Sequence, residues 1–113
     1  MTLRQKQSLF ALLVAQLILQ ADALGYFVTF GECYRSPEEA ARLANLGLGI
    51  KNSLHTKRLA IDLNLFNREG KYLSSTESHR PLGEWWERQH SACRWGGRFN
   101  DGGHYSLEHE GRK

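Results

Sequence analysis

Residues 58–66, RLAIDLNLF, alternate strictly: Leu59, Ile61, Leu63 and Leu65 take one side of an extended chain, and Ala60, Asp62 and Asn64 take the other. Such a strand needs a packed layer against its apolar side, and it carries a carboxylate in mid-strand on the opposite side. Burying Asp62 unpaired is costly, so that side must meet water, a cation or a metal. The chain is therefore constrained to a sheet covered on one face and chemically occupied or wet on the other.

The segments around this strand supply the cover. Phe10, Leu13, Val14, Leu17, Ile18 and Ala21 form one stripe at helical spacing, with Gly25 as the stop. The basic start and Ala21-Asp22-Ala23 imitate a cleavable leader, but Gln16 and Gln20 interrupt the apolar run, so a packed domain helix is expected, with no stable membrane span. YFVTF (26–30) is β-rich. SPEEAARLANLG opens with Ser36 as N-cap and Pro37 in the first turn, and it closes at Gly47. NREG (67–70) predicts a turn into a hairpin partner at 71–73, LGEWWERQHSAC (82–93) a helix, and HYSLEH (104–109) a last strand. The expected fold is α+β: a small, mostly antiparallel sheet with flanking helices, one domain spanning 1–113.

Charge excludes more than it identifies. Fifteen basic residues against 12 acidic give a net +3, spread along the chain with no block interleaved with aromatics, so no nucleic-acid groove is expected. Cys33 and Cys93 are far apart in sequence. One disulfide is conceivable, but two buried structural thiols are expected.

His55 precedes the alternating strand, and His104 follows the glycine-rich NDGG. With Asp62 they make two imidazoles and one carboxylate, a set suited to catalytic zinc, in which three protein ligands leave a fourth position for water. Asp101, three residues before His104, is the candidate proton acceptor. Glu108 is the substitute base, because it shares a strand face with His104. His79, His90 and His109 are expected to be packed or solvent-facing side chains. Trp85 and Trp86 are expected in the core, and Trp95 in the core or as a wall for substrate.

Ser53-x-His55, Ala60-x-Asp62, Asp101-x-x-His104 and Tyr34-Arg35-Ser36 together resemble the zinc peptidases of the D-alanyl-D-alanine carboxypeptidase and phage L-alanyl-D-glutamate endopeptidase group, whose fold is shared with the hedgehog signalling domain. The resemblance spans about residues 9–110. It implies zinc on His55, Asp62 and His104, Asp101 as general base, Arg35 polarising the scissile carbonyl, and Ser53 supporting substrate. Asp-x-x-His in place of the Glu-x-x-His of the carboxypeptidase branch leans toward an endolysin-type endopeptidase. That enzyme would be a monomer made in a host cytoplasm and acting on bacterial peptidoglycan in the cell wall. The chain departs from the family pattern at Arg58, where glycine is common, and at Glu38, Glu39 and Ala40, where glutamine is common. The alternatives are a D-alanyl-D-alanine carboxypeptidase and a non-catalytic zinc-binding protein of the same fold. A histidine-metal nuclease is disfavoured, because Asp-x-x-His here lies among glycines and not in a ββα finger.

Overall fold

The computed structural model describes residues 1–113. Its elements follow in the order α1 (Leu3–Ala23), β1 (Phe27–Phe30), α2 (Pro37–Asn45), β2 (Ala60–Phe66), α3 (Thr76–Glu87), β3 (Cys93–Trp95) and β4 (His104–Leu107), with short 3-10 turns at Leu54–Lys57 and Gly96–Phe99. Every strand pair is antiparallel, and the sheet order is β1-β2-β4-β3. The alternating segment is thus an inner strand of an α+β fold.

Thr2 opens α1 with a capping box, its hydroxyl accepting from the Gln5 N–H while Gln5 reaches back to the Thr2 N–H. Phe10, Leu13, Val14, Leu17 and Ala21 then bury one stripe of the helix, with Ile18 partly buried beside them. Phe10 meets Trp86 of α3 edge-to-face, the ring centroids 5.9 Å apart. The apolar side of β2 completes this core with Ile61, Leu63 and Leu65. No helix is long and apolar enough to cross a membrane.

Three elements differ from expectation. Helix α3 begins six residues early: Ser75 caps it by accepting from the Ser78 N–H, and it passes through Pro81 before ending at Glu87. Proline prefers a first turn, which argues for a later start. Burial of His79, Leu82, Gly83 and Trp86 outweighs the lost hydrogen bond. Cys93, expected to close that helix, instead opens an edge strand, Cys93–Trp95, held by β4 with Trp95 opposite Tyr105. The turn at 67–70 forms, but its partner amounts to one bridge, Phe66 with Tyr72.

The aromatics tie the helical layer to the sheet. Trp86 Nε1–H donates to the carbonyls of Arg94 (3.0 Å) and Ser106 (3.2 Å), joining α3 to β3 and β4. Trp85 is only partly buried. Trp95 is fully buried and lines no cavity, which removes it as a substrate wall. Its indole lies so close to Gly83 that a Cβ there would come within 2.1 Å. Cys93 is buried, but Cys33 is exposed, and the two thiols are free.

Candidate metal centre

Register delivers two of the three expected ligands. Asp62 of β2 and His104 of β4 are direct partners across the antiparallel pair, so their side chains leave the same face of the sheet side by side. His55 arrives from the 3-10 turn that precedes β2. Ser53 caps that turn by accepting the His55 N–H (3.2 Å), and His55 Nδ1–H donates to the Cys33 carbonyl (2.9 Å), which leaves Nε2 facing Asp62.

The three side chains converge. Asp62 Oδ1 lies 3.4 Å from His55 Nε2 and 3.4 Å from His104 Nδ1. Neither contact makes a hydrogen bond, and Asp62 Oδ1 and His104 Nε2 are buried polar atoms without any partner. A tetrahedral ion with nitrogen and oxygen donors at about 2.0–2.1 Å separates them by roughly 3.3–3.5 Å along each edge. The contacts to Asp62 have that length, and the ligand atoms of all three residues fall within 4.8 Å of one another. This buried group can hold a metal ion.

The electrostatics agree. Burial alone would raise the Asp62 carboxyl, but the imidazoles of His104 and His55 outweigh it and hold Asp62 well below the usual carboxylate range. Burial pulls His55 down, yet the facing Asp62, the Cys33 carbonyl and Glu32 together raise it above the ordinary histidine value. Asp62 is thus anionic over the whole physiological range and ready for a cation.

Asp101 sits at the turn before His104. Gly96 permits that turn: a Cβ there would lie 2.2 Å from the Asp101 carbonyl oxygen and 2.7 Å from His104 Cβ. The Asp101 N–H donates to Gly96, and the His104 N–H donates to Asp101. Partial burial raises the Asp101 carboxyl, with the Asp62 charge adding to the rise and the imidazoles of His104 and His55 opposing it. Two cavities, of about 290 and about 260 Å³, both take Asp62 and Asp101 into their walls, so the centre lies in a cleft open to either side.

Arg35 and Ser53 line the first cavity with His55 and His104. Arg35 is held there by Glu32, which accepts from Nε at 2.8 Å and, more closely, from an Nη. Glu32 carries no sequence motif of its own beyond an acid three residues before an arginine, and its position becomes legible only once Gly31 and Glu32 are seen to extend β1 along Asp62. The Cys33 carbonyl, anchoring His55, was equally hidden, and it places Cys33 beside the cluster. His79 lines the second cavity and binds the Tyr105 hydroxyl at 2.9 Å. Glu108 is not in the cleft, because Arg94 takes its carboxylate at 2.8 Å.

Arg58 sits at φ 55°, the left-handed region where glycine is favoured. Its guanidinium lies 4.0 Å over the Tyr34 ring and lines a separate apolar cavity with Cys33, leaving the metal cleft clear. No family model and no curated protein matches the chain.

Proposed function

We propose that this chain is a zinc-dependent peptidase of the bacterial cell wall with the hedgehog-like fold of its resemblance, an endolysin-type enzyme cutting the L-alanyl-D-glutamate bond of the stem peptide. The observation that carries this reading is the His55–Asp62–His104 group, in which both imidazoles stand 3.4 Å from Asp62 Oδ1, the length of a tetrahedral edge, and buried polar atoms are left unpartnered. Zinc held by those three residues would polarise the scissile carbonyl and make a water nucleophilic near neutral pH.

The chain's own residues do the rest. Asp101, its carboxyl raised by burial, accepts the proton of the attacking water and returns it to the departing amine. The Arg35 guanidinium, kept in place by Glu32, faces the developing negative oxygen. Ser53 fixes the turn that aims His55. The cleft continues past Asp62 and Asp101 on both sides, which suits a peptide running through the site and favours an endopeptidase over a carboxypeptidase.

Purified peptidoglycan digested with the zinc-loaded protein and analysed by mass spectrometry tests this reading. The expected products are peptides with a new N-terminal D-glutamate, together with glycan strands keeping a lone L-alanine. Intact stem peptides, or cuts confined to the glycan, would refute it.

A further inference from the structure

Of the 15 basic residues, six arginines are paired with acids, and three of the nine others meet in one recess. Arg35, Arg42, Arg68, Arg80, Arg94 and Arg98 each hold a carboxylate. Lys51, Lys57 and Arg112 hold none, and all three line one polar cavity of about 240 Å³. The lone acid in its wall, Glu110, also faces His109 Nε2 at 3.7 Å. Gathering like charges costs free energy unless an anion offsets their repulsion. Lys57 and Arg112 are moreover partly buried, which weakens their screening by solvent.

This cavity adjoins the metal cleft through shared chain. Residues 48–50 and 53–55 line the cleft, and 51–52 and 56–57 line the basic cavity, so one continuous segment forms both walls. The C-terminal segment does the same, with Lys113 on the cleft and Glu110 and Arg112 on the cavity. The positively charged recess and the metal cleft therefore share the walls made by residues 48–57 and 110–113.

We propose that Lys51, Lys57 and Arg112 form a carboxylate subsite, and that the enzyme selects peptides carrying a free acid beyond the scissile bond on that side. This deepens the peptidase reading and rests on it. The recess has room for an acidic side chain with a few waters. Charge-assisted contacts to a carboxylate are worth enough for about tenfold or greater discrimination against the neutral amide.

Calorimetry on the full chain tests it without turnover, in an Asp101→Asn background. The probes are a stem peptide with free carboxylates and the same peptide with those groups as carboxamides. The acid should bind about tenfold or more tightly than the amide, and the gap should narrow with added salt. Lys57→Gln with Arg112→Gln should bind the two alike, at an unchanged melting temperature, because neither side chain makes an internal ion pair. Lys51→Gln, at an exposed position, should narrow the gap in part. Equal binding of acid and amide in the Asp101→Asn background, a gap that survives in the double variant, or no binding of either peptide would overturn the subsite. Failure of the zinc-loaded native protein to cut either peptide, with the gap intact, would count against the peptidase reading and for the subsite.

Discussion

Asp62 and Asp101 are carboxylates beside the same two imidazoles, and their surroundings push them in opposite directions, Asp62 down and Asp101 up. A permanent anion suits a metal ligand, whereas a carboxylate raised toward neutrality suits proton transfer. Asp101→Asn keeps the shape of the turn and removes the acceptor, so turnover should fall about 10²–10⁴-fold while bound zinc is retained. His104→Ala should instead lose the metal. Kinetics and metal analysis on the two purified variants separate these roles; near-normal turnover in Asp101→Asn would mean that its turn is merely structural.

Among the elements, β2 was legible because its alternation is a consequence of two environments, and both are present. The α1 stripe and the Ser36–Pro37 start of α2 were legible for the same reason: local chemistry and tertiary burial agree there. At α3 they disagree, since Pro81 argues for a start where packing has already built a turn and a half. The three-residue β3 has no periodicity to read, and it exists because β4 offers it an edge. The grouping of His55, Asp62 and His104 was visible through spacing, but Glu32 and the Cys33 carbonyl were not, because they reach the site by strand pairing. The Gly96–His104 loop is the element on which the site depends most. Gly96→Ala should push the Asp101 carbonyl and His104 apart and weaken zinc affinity roughly 10–100-fold, as disturbed ligand support commonly does. Competition with a chromophoric chelator measures this, and unchanged affinity would show that the loop shifts without cost to the site.

For the whole molecule, acid lability of the metal-free protein follows from a buried histidine. Burial holds His79 below its ordinary value, so the unfolded chain binds the proton more readily than the folded one. Stability from this group is complete above about pH 6.5 and is lost as the pH falls from there. The raised His55 works in the other direction, its contribution complete at low pH and lost as the pH rises through its folded value. His79→Gln leaves the His55 contribution in place, so urea unfolding at pH 7.5 and pH 5 should show a smaller acid loss in the variant than in the native chain. An equal loss in both would mean that His79 titrates in the folded state as it does in the open chain.

The proposed function turns on one ion held between the 3-10 turn at Leu54–Lys57, β2 and β4. The most direct measurement is anomalous diffraction at the zinc edge from crystals grown with one equivalent of zinc. The account predicts a single strong peak at roughly 2.0–2.2 Å from His55 Nε2, Asp62 Oδ1 and His104 Nδ1, with Asp101 beyond bonding distance. No peak at that position, or full occupancy elsewhere while the three side chains keep their present contacts, would contradict it.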